Sequence, residues 1–139
     1  MIDEDFTIGL LEQHTFLTKV SHKDCLCLSC PPEYWVEIAK FLRNEETFEL
    51  LVDLTGIDQG EESEFRFTVV AHYYSRIHHD YLRVKCDCVD SLSPKIPSLS
   101  SVFPAADWHE RETFDMFGIE FTEHPNLKRI LMWDEYPYF

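Results

Sequence analysis

The strongest constraint on the fold comes from two neighbouring stretches in which apolar side chains occupy every second position. The apolar positions are Phe65, Phe67, Val69, Ala71 and Tyr73 in the first stretch and Leu82, Val84, Cys86 and Cys88 in the second. Successive side chains of a strand point to opposite faces, so each stretch predicts a strand with one face in a core. The short turn at 77–80 between them makes the two strands antiparallel neighbours in one sheet.

The chain before this pair predicts two further strands. Residues 47–57 are largely apolar and lead into an acidic turn at 59–63. Residues 24–29 read DCLCLS, which as a strand places Cys25 and Cys27 on one face and two leucines on the other. The sheet should therefore contain about four strands.

Two helices are predicted in the same part of the chain. Pro31 and Pro32 open the clearer one, because apolar side chains then recur every three or four positions to about Asn44. Residues 1–20 have a similar spacing, interrupted by Gly9, so we expect an N-terminal helix there as well. Residues 91–104 are rich in serine and proline and are predicted to be a linker.

These elements predict one α+β domain over residues 1–139. It should be two-layered, with a mostly antiparallel or mixed sheet and helices packed on one face. A chain of 139 residues can bury an ordinary core as one domain. Its 45% hydrophobic and 14% aromatic content is typical of folded globular proteins and excludes a disordered chain.

The segment at 105–131 is the densest in turn signals, charge and aromatic residues. Pro104, Asp107 and Glu110 predict a helix start, with Asp107 as the cap and Glu110 completing a capping box. Gly118 predicts the end of this helix, because glycine readily takes the left-handed conformation of many helix ends.

The charges of this helix predict surface ion pairs. Arg111 lies one turn from both Asp107 and Asp115. Glu110, Glu112 and Asp115 could form an acid/base set, but ordinary pairing on a helix surface is the interpretation we favour.

The aromatic residues of the segment allow two interpretations. An ordinary surface helix would bury Phe114 and Phe117 and expose its charges. Alternatively, these aromatics and the basic pair Lys128 and Arg129 form a surface that meets another protein, because aromatic residues and arginine anchor such interfaces.

The charge and hydropathy patterns exclude several classes of partner. A formal net charge of -14 opposes binding to nucleic acid or to an anionic membrane surface, both of which need clustered Lys and Arg. No apolar run reaches the length needed to cross a bilayer. We therefore expect no direct membrane insertion. The acidic N-terminus has neither signal-peptide nor transit-peptide character, which points to the cytoplasm of a prokaryote or to a mature chain already processed.

The five cysteines leave a metal site open as an alternative. Cys25, Cys27 and Cys30 could converge with Cys86 and Cys88 on zinc or an iron-sulfur cluster. A buried strand face gives the same alternation without any metal, which is the interpretation we favour, with the thiols reduced. No histidine-pair zinc motif, nucleotide-binding glycine loop or nucleophile elbow occurs in the sequence.

Residues 110–131, ERETFDMFGIEFTEHPNLKRIL, resemble the signature segment of one family of respiratory complex I. It is the family of the C subunit of NADH-quinone oxidoreductase, also called the 30-kilodalton subunit. That family's pattern is E-R-E, aromatic-D-M-aromatic-G, a hydrophobic strand, then H-P-x-L-x-R-I-L. Upstream, DLTGID at 53–58 and FPAADWHERE at 103–112 also match family patterns. The resemblance extends from about Phe48 to Leu131.

The resemblance implies a non-catalytic scaffold subunit in the peripheral arm of the complex. NADH, FMN, iron-sulfur clusters and quinone would belong to partner subunits, and this chain would bind no cofactor or metal. Its chief partner would be the hydrogenase-like quinone-site subunit, on the cytoplasmic side of the prokaryotic inner membrane. The residues that the resemblance implies for structure and docking are Trp108, Glu110, Arg111, Glu112, Phe114, Asp115, Met116, Phe117, Gly118, His124, Pro125 and Arg129.

The sequence departs from the family pattern at one place. Members of the family continue past the R-I-L segment with a basic, proline-containing tail, whereas this chain reads WDEYPYF up to Phe139. Two alternatives stay open. One is the equivalent scaffold subunit of a membrane-bound hydrogenase or formate-hydrogen lyase, and the other is a stand-alone cysteine metal-binding protein.

Overall fold

The computed structural model describes residues 2–139, which form three helices and seven strands. The helices are α1 (Glu4–Gln13), α2 (Trp35–Asn44), which follows a 3-10 turn at Pro32–Tyr34, and α3 (Ala106–Phe117). The strands are β1 (Thr18–Val20), β2 (Leu26–Ser29), β3 (Leu50–Asp58), β4 (Phe67–Ser75), β5 (Asp80–Asp87), β6 (Lys95–Pro97) and β7 (Glu120–Thr122).

The main sheet has five strands in the order β1-β2-β5-β4-β3. All neighbours are antiparallel except β2 and β5, which are parallel. The α+β class and the mixed, mostly antiparallel sheet are therefore confirmed, with one strand more than expected. The hairpin of β4 and β5 pairs Val69 with Cys86 and Ala71 with Val84, so the two alternating apolar sets lie side by side as predicted.

The additional strand lies where the sequence predicted the end of a helix. Helix α1 begins at its cap Asp3, whose side chain accepts from the backbone N–H of Phe6, but it ends at Gln13. Thr18–Val20 then pairs with β2 as the edge strand β1. The expectation of a helix to residue 20 was wrong. The backbone of residues 18–20 pairs with β2, and the helical spacing of the sequence does not contain this pairing.

The helices cover one face of the sheet. The core joins buried residues of α1, α2 and α3 to alternate residues of β4 and β5, among them Val69, Ala71, Tyr73 and Val84. Stripe residues Trp35, Ile38 and Leu42 of α2 are fully buried, as the spacing predicted.

The opposite face carries no part of this core, and we call it the open face. Its residues are Thr68, Val70, His72 and Tyr74 of β4 and Tyr81, Arg83, Lys85 and Asp87 of β5. Within residues 2–139, no helix combines the length and the apolar character needed to span a bilayer.

The predicted linker at 91–104 contains a strand that the sequence did not reveal. Strand β6 pairs in parallel with β7 through Ile96 and Phe121, both buried in the core. The flanking prolines concealed this strand, because proline is depleted in strands that must donate on both sides. The pairing brings the linker alongside the chain that follows α3.

Candidate functional site

Helix α3 begins differently from the prediction. It starts at Ala106 after Ala105, which makes no side-chain capping bond, while the N–H of Asp107 donates to the carbonyl of Pro104. Asp107 thus lies in the first turn, and the predicted capping box with Glu110 is wrong. The backbone turn after Phe103 starts the helix instead, which leaves the Glu110 side chain available for a more distant partner.

Glu110 is a buried carboxylate that fastens the linker to α3. It is fully buried, and it accepts from the hydroxyl of Ser98 at 2.5 Å and from the N–H of Leu99 at 2.8 Å. Burial raises the pKa of Glu110 to about 7, although these two hydrogen bonds oppose the rise. The expectation that Glu110 pairs on the helix surface was therefore wrong.

Asp115 is a second buried carboxylate with a different partner. Its Oδ2 accepts from three consecutive backbone N–H groups, those of Ile130, Leu131 and Met132, at 3.2, 2.7 and 2.8 Å. Burial alone would raise its pKa, but these bonds and Arg129 outweigh burial and hold the pKa of Asp115 below its ordinary value. The expectation that Asp115 pairs on the helix surface was also wrong, because its side chain is buried and bonded to three backbone N–H groups.

Two arginines reinforce the same junction. Arg111 donates to the carbonyls of Lys128 and Arg129, both at 3.1 Å, and its guanidinium stacks on Trp108. The expected ion pairs of Arg111 with aspartates one turn away do not form within residues 2–139. Arg129 is only 9% exposed and lies 3.6 Å from Oδ1 of Asp115. Both arginines thus make charge-assisted contacts inside the chain.

His124 fixes the turn that follows β7 against the start of α3. Its side chain is fully buried, and Nε2 lies 3.1 Å from the carbonyl oxygen and 3.2 Å from Oδ1 of Asp107. Because Nδ1 accepts from the N–H of Asn126, the ring proton is on Nε2 and donates to Asp107. The adjoining Pro125 is exposed.

The end of α3 matches the prediction. Gly118 caps it with φ +74°, and a Cβ there would lie 3.2 Å from Phe139. Phe114 packs against the Phe139 ring, with centroids 5.4 Å apart, and Phe117 packs over Gly56 of β3. Both Phe114 and Phe117 are half-buried, in agreement with the interpretation that they pack inward.

The remaining predicted docking residues point outward. Trp108 is 62% exposed, and Glu112 and Met116 are exposed too. The structure adds Leu131 at the end of the family motif and three large aromatic side chains that the prediction missed, although the sequence WDEYPYF signals these three by its aromatic density. We call the combined set the aromatic surface, and it consists of Trp108, Met116, Leu131, Trp133, Tyr138 and Phe139.

The cysteines are divided between the two faces of the sheet. In the register of the strands, Cys27 lies beside Arg83 on the open face, whereas Cys86 belongs to the core on the other face. Burial raises the pKa of the Cys30 and Cys88 thiols to about 12, which opposes the thiolate form that metals require. Among residues 2–139, no three His, Cys, Asp or Glu side chains are grouped so that they could hold a metal ion.

Comparisons with known proteins agree with this architecture. The family described as "Respiratory-chain NADH dehydrogenase, 30 Kd subunit" matches residues 28–139. The chain is 41% identical over 111 residues to the C 2 subunit of NADH-quinone oxidoreductase from Rhizobium etli, covering 78% of this chain and 58% of that protein. It is 46% identical over 112 residues to the C subunit from Roseiflexus sp., covering 76% of this chain and 63% of that protein. The chain thus spans less than two thirds of the length of these relatives.

A solved structure shares the fold at lower identity. It belongs to the membrane-bound sulfane sulfur reductase, an archaeal respiratory membrane complex, and superposes with a TM-score of 0.80 over 95% of this chain and 77% of that chain. The sequence identity is 21%, so this likeness concerns the fold alone.

The fold and the junction around α3 define an α+β domain whose last helix is fastened by buried carboxylates to the segments before and after it. With the family match over residues 28–139, the chain belongs to the 30-kilodalton subunit family of respiratory-chain NADH dehydrogenase. The bacterial relatives in this family are named as the C subunit of NADH-quinone oxidoreductase. The resemblance found in the sequence is confirmed.

Proposed function

We propose that this chain is a non-catalytic scaffold subunit in the peripheral arm of a proton-translocating NADH-quinone oxidoreductase. Its aromatic surface would dock on the hydrogenase-like quinone-site subunit and so support electron transfer from NADH to quinone. The observation that carries the proposal is the aromatic surface itself, which is exposed although α3 and the C-terminal segment are firmly joined beneath it.

The composition of the aromatic surface supports a docking role. Large aromatic side chains with few rotatable bonds dominate the binding energy of protein interfaces. Exposed apolar side chains scattered singly need no explanation, but here Trp133, Tyr136 and Tyr138 form consecutive ring contacts beside Phe139. The group is large enough to anchor a partner.

The bonds beneath this surface favour docking over catalysis. Asp115 and Arg111 together tie residues 128–132 to α3 by five hydrogen bonds to the backbone. A surface held in one conformation before binding loses less entropy when the partner arrives. The same bonds occupy the charged groups that general acid/base chemistry would otherwise use.

We propose that the cofactors of this activity are bound by other subunits of the complex. We place NADH, FMN, the iron-sulfur clusters and quinone in partner subunits, and we place the chain on the cytoplasmic side of the inner membrane, held there by the complex. The buried thiols support this view, because their raised pKa values disfavour cluster ligation.

A second assembly has weaker support. The structural likeness to the sulfane sulfur reductase chain would also fit a scaffold subunit of a membrane-bound hydrogenase or a related complex. Relatives at 36% to 46% identity carry NADH-quinone oxidoreductase names, which favours complex I. One relative, from Sulfurihydrogenibium sp., is named as a C/D subunit, and this double name supports a neighbouring subunit of the same complex as the docking partner.

The proposal is tested by reversing the character of the aromatic surface without disturbing the core. Trp108 and Trp133 are each 62% exposed, so Trp108→Glu and Trp133→Glu should leave the fold intact. If each contributes about 2 kcal/mol to binding, each single variant should associate ~30-fold more weakly with the other subunits in detergent-solubilised membranes, and the double variant on the order of 1000-fold more weakly. The matched control is Leu92→Glu, which changes an apolar side chain that is 98% exposed and outside the aromatic surface. Undiminished association of the double variant would refute the proposal.

A further inference from the structure

The open face of the sheet carries an arginine held between two histidines. Nε of Arg83 donates to Nε2 of His72 at 2.7 Å, and Nη1 of Arg83 lies 2.8 Å from Nε2 of His22. His72 is directly opposite Arg83 in the hairpin, and His22 reaches it from the turn between β1 and β2. These contacts fix the position of the guanidinium on the sheet.

The charge of this arginine is not neutralised by either histidine. A guanidinium only donates, so His72 accepts with a neutral ring. Burial and the nearby Arg83 both lower the pKa of His72, which keeps that ring neutral. The imidazole therefore positions the cation without balancing it, and further N–H groups of the guanidinium remain free to donate.

A carboxylate partner is present for three other arginines, Arg66, Arg76 and Arg129, in contrast to Arg83. Arg66 pairs with Asp58, and Arg76 pairs with Glu49. Within residues 2–139, neither Arg83 nor its open-face neighbour Lys85 has a carboxylate within ion-pair distance. These two cations thus lie side by side on one face of a chain whose net charge is -14.

The same face also carries aromatic and aliphatic side chains, and Asp87, which accepts from the hydroxyl of Thr68, lies at the end of β5 beyond Lys85. Tyr81 is 50% exposed and its ring contacts Tyr74, with centroids 4.8 Å apart. At the other end of the face, Ile57 of β3 is 43% exposed and is directly opposite Thr68. Cations within an exposed aromatic and aliphatic surface are typical of protein interfaces.

We propose that the open face binds an acidic segment of a neighbouring protein subunit, whose carboxylates pair with Arg83 and Lys85. The charge complementarity favours discrete carboxylates over a polyanion, because nucleic acid or an anionic membrane would be repelled by the rest of this acidic chain. Helix α3, which carries Trp108 and Met116 of the aromatic surface, packs on the core face of the sheet over Gly56, whereas the open face is the other face, so the chain would join two neighbours. The inference rests on the proposed function in one respect, since it takes the neighbour from the same complex.

Lys85 makes the proposal directly measurable in the assembled complex. The complex is isolated through a tag on this chain and treated with a lysine-acetylating reagent or with a carbodiimide, which joins an amine to a carboxylate without a spacer. Lys85 should be acetylated at least about 10-fold more slowly than in the free chain, a difference of about 1.4 kcal/mol. The carbodiimide should couple Lys85 to an Asp or Glu of another subunit, and peptide mapping identifies that residue. Lys40, exposed on α2, is the matched control and should react equally in both forms.

A charge reversal gives an independent readout. Lys85→Glu should weaken the association of the coupled subunit, whereas Lys40→Glu should not. A chain that stays in the complex with a fully reactive Lys85 overturns this inference alone. Protection of Lys85 that disappears on removal of lipid, with no coupled carboxylate, assigns the face to anionic lipid and also overturns it. A chain recovered without any other subunit overturns the proposed function together with this inference.

Discussion

The ring of Phe117 lies directly over Gly56, so that a Cβ added to this glycine would lie 2.9 Å from Cδ2 of Phe117. Gly56 belongs to β3 and Phe117 to the last turn of α3, so this contact sets how closely the helix approaches the sheet. The glycine of the DLTGID stretch is thus explained by packing rather than by backbone conformation.

Gly56→Ala should therefore destabilise the fold by about 1–3 kcal/mol, because the added methyl group forces Phe117 or the backbone to move. The measurement is the free energy of unfolding in urea. Gly9→Ala is the matched control, since nothing lies within 4 Å of its added Cβ in α1, and it should stabilise by about 0.5–1 kcal/mol. Equal effects of the two substitutions would contradict the close approach of α3.

Glu110 should make the stability fall as the pH rises. Its pKa in the folded chain, about 7, lies above the ordinary value of 4.5, so the folded state binds the proton more tightly than the unfolded state. The resulting stabilisation is complete below pH 4.5 and is lost as the pH rises to about 7, with a size on the order of 3 kcal/mol.

The variant Glu110→Gln isolates this contribution. A glutamine amide can accept from the N–H of Leu99 and donate to the hydroxyl of Ser98, so the junction is retained without an ionisable group. Unfolding measured from pH 4.5 to 8 should show a flatter profile than the parent chain, with the variant relatively more stable at pH 8. A parallel pair of profiles would mean that Glu110 titrates normally.

Asp115 should hold residues 130–132 in place. Asp115→Ala removes the acceptor of three backbone N–H groups and leaves Arg129 buried without its carboxylate, which should cost about 3–5 kcal/mol. Amide hydrogen exchange at 130–132 should accelerate before global unfolding. Glu112→Ala, on the exposed side of the same helix, should change stability by less than about 0.5 kcal/mol.

The pH dependence of Asp115 has the opposite sign to that of Glu110. Its pKa is lowered from the ordinary 3.8, so the stabilisation is present above pH 3.8 and is lost as the pH falls through the lower pKa of the folded state. The protection factors of the 130–132 amides in the parent chain, which are corrected for the intrinsic exchange rate at each pH, should therefore fall in acid. Protection that persists unchanged in acid would show that the carboxylate is not the anchor.

The thiols should differ sharply in reactivity. Cys25 is half-buried, whereas Cys27, Cys30, Cys86 and Cys88 are buried in the native chain. Burial also raises the pKa of each thiol, which lowers the population of the reactive thiolate. At pH 8, an aromatic disulfide reagent should titrate about one thiol in the native chain and the rest only after unfolding. Rapid reaction of all of them would contradict the buried strand faces.

Local patterns predicted the parts of the fold that depend on local geometry. In β4 and β5 every second side chain is apolar, and in α2 every third or fourth is. Each pattern arises because one face of the strand or helix is buried, which depends on that element alone. Gly118 likewise ends α3 because of its own backbone conformation. These features needed no knowledge of distant residues.

The features that the sequence did not reveal depend on distant partners. Glu110 satisfies the spacing of a capping box, but Ser98 and Leu99 of the preceding linker draw it into the core. Asp115 satisfies the spacing of a surface ion pair, but its carboxylate instead accepts hydrogen bonds from the backbone N–H groups of residues 130–132. In both cases the sequence does have the local spacing. An exposed ion pair on a helix stabilises by only about 0.3–0.5 kcal/mol, so a tertiary hydrogen bond to the backbone outweighs it.

The most direct test of the proposed docking role is hydroxyl-radical footprinting of Trp108 and Trp133 in the free chain and in the assembled complex. Both side chains are exposed in the free chain and should be oxidised rapidly there. In the complex, their oxidation should fall by at least about 10-fold, as expected for anchors in the interior of an interface, while Leu92 should be oxidised at the same rate in both. Equal oxidation of the two tryptophans in both forms would contradict the claim that the aromatic surface docks on a neighbouring subunit.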